Sequence, residues 1–230
     1  MHRQRTGYTS VNPYKYISIE GNIGAGKTSL SKLLAEELGT KLILEEFAEN
    51  TFLPKFYENP ERYAFPVELS FLSERFSQLK RELNTTDLFA PNIISDYFIS
   101  KCQIFAKNNL NKDEYDLFLK MYEIVEASCP KPDLMVYLYL EVDDLQYNIR
   151  KRGRAYEQSI SNEYLQNIQH QYIEYMRQHE DMRVLMIHTK GLDFVANPED
   201  YETLRDVILQ PRPTGIHRVH VLPSTEVGSV

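Results

Sequence analysis

The chain has 230 residues, 42% hydrophobic and 12% aromatic with sixteen tyrosines, enough to fill the core of one α/β domain with at most a small lid. That composition excludes a disordered chain, and a formal net charge of −7 argues against nucleic acid as a bulk partner. Two cysteines without metal-ligand spacing, the lack of any membrane-length apolar run and a polar N-terminus unlike a signal peptide together lead us to expect a soluble cytoplasmic protein.

Residues 1–13 are polar and are expected to fray. Tyr14 to Ile19 reads as a buried strand, and Leu30, Leu33, Leu34 and Leu38 recur at helical spacing. Between them Gly21, Asn22, Ile23, Gly24, Ala25, Gly26, Lys27 and Thr28 match G-x-x-x-x-G-K-S/T, in the strand, loop, helix order that a P-loop needs. The glycines let backbone N–H groups and the helix N-terminus wrap an anion, Lys27 brings a mobile positive charge, and Thr28 offers a hydroxyl to Mg²⁺. The loop predicts a site for nucleotide phosphates.

Lys41 to Glu45 fits a second strand, Pro60 to Leu83 a long helix and Asn92 to Ser95 a third strand ending at Asp96. Helices follow at about 97–109 and 113–128, split by the Asn-rich turn 108–111. Asp133 to Leu140 is a near-continuous apolar run, as a parallel strand buried on both faces should be. Helices at about 143–152, 161–178 and 198–209, with a strand at Arg183 to Ile187, complete a five-stranded parallel sheet flanked by helices. Residues 14–210 are thus read as one domain, with a lid at about 150–162 and residues 211–230 as a poorly ordered extension. No internal repeat is present.

A guanine-specific switch protein would carry N-K-x-D, but the nearest match, Asn111-Lys112-Asp113-Glu114, ends in Glu, and Asp96 is followed by Tyr97-Phe98-Ile99 rather than D-x-x-G. A small-molecule kinase needs a base, an acceptor pocket and arginines for the travelling phosphoryl group. At the carboxyl end of the second strand, one of Glu45 and Glu46 should face the cleft, since alternation forbids both. Arg150-Lys151-Arg152-Gly153-Arg154 sets four cations around a glycine, which fits either a phosphate-closing lid or a basic helix end that complements the dipole.

The EGNIGAGKT loop, the Glu after strand two, the stretch Tyr57 to Phe65 and the segment Arg152 to Leu165 together resemble the deoxyribonucleoside kinases, most of all their bacterial purine-type members. The resemblance runs from about Tyr16 to Leu209 and implies a P-loop kinase fold, ATP and Mg²⁺ as cofactors, and a small-molecule deoxynucleoside as acceptor. It implies Glu46 as the base on the 5′-hydroxyl, Tyr57 and Glu157 on the sugar 3′-hydroxyl, Arg75 near the base, and Arg152 and Arg154 on ATP phosphates. A homodimer through the long helices at about 60–83 and 113–128 is implied as well.

Two departures from the family pattern stand out. The third strand, often ending Glu/Asp-Arg-Ser in the family, ends Ser95-Asp96-Tyr97 here; Asp96 could serve as an indirect Mg²⁺ ligand, orient Lys27, or cap the next helix. The base-pocket position that is commonly Gln aligns with Glu68, and an ionised Glu only accepts hydrogen bonds, which suits the adjacent donors of guanine, whereas a protonated Glu would suit adenine. Where an Asp often partners the pocket arginine, this chain has Lys101. The reading is therefore an ATP-dependent deoxynucleoside 5′-kinase for a purine, against a thymidylate-like monophosphate kinase or a non-catalytic P-loop nucleotide-binding protein.

Overall fold

The computed structural model describes residues 12–46, 50–83 and 92–223; the first eleven residues of the segment expected to fray lie outside it. The β-branched and aromatic run ahead of the glycines forms β1 (Tyr16–Gly21), buried along its whole length. It sits inside a sheet made with β2 (Lys41–Ile43), β3 (Ile93–Ser95), β4 (Leu134–Tyr139), β5 (Arg183–His188) and β6 (Gly215–His220). The order is β2-β3-β1-β4-β5-β6, and every neighbouring pair is parallel.

The parallel sheet between two helical layers is the architecture the alternating elements called for, but with six strands where five were expected. The sixth comes from the tail read as a poorly ordered extension: Gly215–His220 pairs in register with β5 along its full length. An edge strand has one neighbour and a half-exposed surface, so it needs no apolar run, and GIHRVH shows none.

The connecting helices are α1 (Lys27–Leu38), α2 (Leu53–Glu58), α3 (Pro60–Leu83), α4 (Lys101–Asn109), α5 (Lys112–Glu126), α6 (Val142–Arg152), α7 (Asn162–Gln178) and α8 (Pro198–Ile208). Strand alternation divides the core between the two faces. Leu134, Val136 and Leu138 of β4 pack with Leu30 and Leu34 of α1 and with Leu204 and Ile208 of α8. Met135 and Tyr137, pointing the other way, pack with Ile104 of α4 and with Ile168, Tyr172 and Met176 of α7. A separate cluster ties α3, α4 and α5 together through Leu72, Leu79, Cys102, Phe118 and Tyr122.

The helix expected from residue 97 starts later, at Lys101. The intervening backbone is committed to the sheet: Asp96 donates its N–H to Ile43 O (3.2 Å) and Phe98 donates its N–H to Glu20 Oε1 (2.8 Å). From β1 the chain builds β2 and β3 on one side and β4 to β6 on the other, so the carboxyl end of β1 lies where the winding reverses, the usual crevice of open parallel sheets.

Candidate active site

The loop between β1 and α1 is shaped by positive φ at Gly24 (87°) and Gly26 (89°). A side chain at Gly24 would meet the Leu145 carbonyl at 2.8 Å, and one at Gly26 would meet the Phe194 ring at 2.9 Å, so neither position admits a Cβ without a shift. Asn22 fixes the loop by donating to Leu165 O (2.7 Å) and accepting the Ile23 N–H (2.8 Å), while Asn148 holds Gly24 O at 2.9 Å. Beneath it Glu20 is fully buried and accepts from the Tyr172 hydroxyl (2.8 Å); burial pushes its carboxyl up to about 7, against the pull of Lys101 and Lys27. Lys27 donates to Asn22 O at 2.9 Å across the loop, and its pKa is lowered by burial and by nearby Lys101.

Asp96, at the end of β3, ties the loop to its neighbours. Its Oδ2 accepts from the Thr28 hydroxyl at 2.6 Å, and its Oδ1 accepts the Glu45 N–H at 2.7 Å. These two groups are hard oxygen donors at the mouth of the P-loop. Mg²⁺ is typically held by one or two carboxylates together with substrate phosphates, so Thr28 and Asp96 fit it. No group of three or more metal-ligating side chains exists among the described residues.

The second strand ends at Ile43, and the two acids beyond it part ways. Glu45 turns into the cleft, its side chain 11% exposed, where it accepts two bonds from Arg75 (one at Nε, 2.8 Å) and one from Lys101 Nζ at 2.5 Å. Burial alone would raise its pKa, but Lys101 and then Arg75 outweigh that and hold the carboxyl well below the usual range. Glu46 lies on the surface, 67% exposed, facing Arg81 at 3.3 Å. The expectation that Glu46 enters the site is thus corrected: the cleft carboxylate is Glu45, because its backbone is pinned by Asp96 and its side chain by two buried cations.

The cleft is lined by Glu45, Tyr57, Glu68, Arg75, Asp96 and Lys101, with apolar walls that include Phe56, Val67, Phe71 and Phe105. Glu68, 2% exposed, accepts from Asn109 Nδ2 at 2.6 Å through Oε1, while burial pushes its carboxyl up to about 7. Arg75, seven residues on and so on the same face of α3, lies over the Phe71 ring at 4.5 Å and donates to the Cys102 thiol at 3.1 Å. Tyr57 stacks on Tyr156 at 6.2 Å and meets Tyr164 edge-on.

The basic helix end forms the roof. Glu157, in a short 3₁₀ turn (Ala155–Glu157) after α6, is buried and accepts from both Arg152 and Arg154, the latter at 3.1 Å. A second groove, on the far side of the P-loop, is lined by Gly24 to Ser29, Asn148 and the segment Leu192 to Ala196. Lys27, Thr28, Arg152 and Arg154 line both cavities. Three cationic side chains and a hydroxyl therefore stand at the boundary between the groove and the cleft, an arrangement that suits a phosphoryl transferase.

A family model described as deoxynucleoside kinase matches residues 17–210. The chain belongs to the deoxynucleoside kinase family. It is 33% identical to the deoxyguanosine kinase of Bacillus subtilis over 201 residues, covering 84% of this chain and 96% of the relative. It is 29% identical to the deoxyadenosine/deoxycytidine kinase of the same organism, over 84% of this chain and 90% of that one. Among solved structures, deoxyadenosine kinase from M. mycoides with bound dATP superposes with a TM-score of 0.72 at 26% identity, covering 84% of this chain and 98% of that chain.

The site of this deoxynucleoside kinase contains residues that sequence reasoning passed over. Asn109 was visible only as part of an Asn-rich turn, Tyr164 sat unremarked inside the segment Arg152 to Leu165, and Phe194 belongs to a loop with no motif. Lys101 was noticed only as a departure, and nothing local showed that it would reach Glu45.

Proposed function

We propose that the kinase transfers the γ-phosphoryl group of ATP to the 5′-hydroxyl of a purine deoxynucleoside, with Glu45 as the base. The observation that carries the reading is the shared boundary: Lys27, Thr28, Arg152 and Arg154 face both cavities, and Glu45 is in the acceptor cleft beside them. With Arg75 and Lys101 both engaged by Glu45, the cleft suits an uncharged acceptor rather than a nucleoside monophosphate.

Glu45 is a weak base, held ionised by its two cations. That suffices, because phosphoryl transfer has a loose transition state in which the nucleophile needs orienting more than early deprotonation. Glu45 accepts the hydroxyl's hydrogen bond, aims its oxygen at phosphorus and takes the proton as the new bond forms. Tyr57 and Glu157 bracket the sugar, offering a hydroxyl and a carboxylate to the 3′-hydroxyl. Thr28 and Asp96, joined at 2.6 Å, would hold Mg²⁺, which would supply positive charge against the donor phosphates. Arg152 and Arg154, held at the boundary by Glu157, meet the travelling charge by turning from that carboxylate toward it.

Offered Mg-ATP with deoxyadenosine, deoxyguanosine, deoxycytidine or thymidine, the purified protein is expected to make the 5′-monophosphates of the two purines fastest. Turnover confined to thymidine, or to thymidine monophosphate as acceptor, would overturn the reading.

Assembly is part of the proposal. On α5, Leu117, Met121 and Ile124 are 51%, 43% and 75% exposed at the i, i+4, i+7 spacing of one helical face. We take this stripe as the contact with a second copy of the chain. Ile124→Glu is expected to convert a dimer into a monomer in light scattering; an unchanged mass would reject the face. No helix among the described residues is long and apolar enough to cross a membrane, and the free thiols Cys102 and Cys129 suit the reducing cytoplasm.

A further inference from the structure

Among the described residues lining the acceptor cleft, Glu68 carries the only fully buried side-chain oxygen without a partner, its Oε2. Its other oxygen is held by Asn109, which fixes the carboxyl on the wall of the cleft. An unpartnered buried carboxylate oxygen costs free energy unless a ligand supplies a donor there. The groups that face it come from every element around it: Arg75 from its own helix, Glu45 from beyond β2, Lys101 and Asn109 from α4, and Tyr164 from α7. Of these Arg75 is committed to Glu45 and Cys102, and Lys101 to Glu45, so no neighbour closes a salt bridge on Glu68.

We propose that the ionisation of Glu68 selects the purine: the neutral acid admits adenine, and the carboxylate commits the cleft to guanine. The proposal rests on the purine deoxynucleoside reading above. The hydrogen-bonding edges decide it. Adenine presents a 6-amino donor beside the N1 acceptor, which a carboxylic acid satisfies by accepting with one oxygen and donating its O–H from the other. Once ionised, Glu68 has two acceptors, and one would face the N1 lone pair. Guanine presents N1–H and the 2-amino group side by side, two donors that a carboxylate accepts together. Cytosine, with an amino donor beside the N3 acceptor, should behave as adenine does. Because burial brings this carboxyl up to about 7, with Asn109, Arg75 and Lys101 pulling it back, both forms are populated near neutrality.

The test is the ratio of kcat/KM for deoxyguanosine to that for deoxyadenosine, measured from pH 6 to pH 9. Groups that serve both reactions equally, such as Lys27 and Glu45, cancel in this ratio. Across this range it should climb by up to about tenfold per pH unit, because the carboxylate grows below neutrality and the neutral acid disappears above it. Deoxycytidine should follow deoxyadenosine. Glu68→Gln, which cannot ionise, should give a ratio independent of pH. A flat wild-type ratio, with both purines phosphorylated, would overturn this selection while leaving the kinase reading intact. If neither purine is phosphorylated, the function reading fails and takes the selection with it. Since the wild-type ratio alone decides between these outcomes, a poorly folding variant would not obscure the answer.

Discussion

Glu45→Gln is expected to lower kcat by about 10²- to 10⁴-fold, the usual worth of a positioned general base, while Glu46→Gln should stay within about twofold of wild type, as exposed substitutions do. The contrast between neighbouring, chemically identical substitutions is what makes the comparison sharp. Gln keeps the shape of Glu45 and can still accept from Arg75 or Lys101, but it cannot take a proton from an alcohol. Glu46, 67% exposed and 3.3 Å from Arg81, itself 58% exposed, has a screened surface contact and no path into the cleft. ATP binding should survive both changes, because the P-loop holds its phosphates through backbone groups, Lys27 and Thr28. Steady-state phosphorylation of deoxyguanosine together with equilibrium ATP binding tests all of this. A larger loss for Glu46→Gln than for Glu45→Gln would return the base to the surface position and undo the assignment.

The choice between these two acids shows what could be read from the sequence and what could not. The P-loop was legible because its chemistry is local: glycines with positive φ, a lysine and a threonine at fixed offsets, a buried strand before and an apolar helix face after. The long helix from Pro60 and the strand Leu134–Tyr139 declared themselves by period and by apolar length. Alternation correctly said that Glu45 and Glu46 part, yet it could not say which turns inward. β2 ends at Ile43, so both acids lie past the region where strand alternation rules. What orients Glu45 is remote in sequence: Asp96 takes its N–H, and Arg75 and Lys101 take its carboxylate. The same holds for β6, whose pattern is weak because a sheet edge tolerates polar residues, and which is placed by hydrogen bonding to β5 rather than by its own composition. Local rules thus recovered most of the elements and the shape of the glycine loop, whereas the far side of the cleft depends on contacts between elements.

Lys101→Met is expected to destabilise the fold by about 2–3 kcal/mol, less than the 3–5 kcal/mol typical of a fully orphaned buried charge because Arg75 still pairs with Glu45. For a chain of this size that corresponds to a melting temperature lower by roughly 4–12 °C. Lys101 stands in the first turn of α4 and is almost fully buried, with 6% of its side chain exposed. Both features disfavour a cation, since the helix dipole is positive at that end and desolvation opposes charge. Its compensation is the Glu45 carboxylate at 2.5 Å. The two residues should therefore be strongly coupled. Removing both charges in Glu45→Gln/Lys101→Met should cost less than the sum of the single losses by more than about 1 kcal/mol. In activity, Lys101→Met should lower kcat in the Glu45 background and have little further effect once Glu45 is Gln, because the lysine acts by holding that carboxylate ionised and aimed. Thermal melts and kcat on the four corners of the cycle measure both couplings. Strict additivity in stability and in rate would mean that Lys101 serves the cleft by some route other than Glu45.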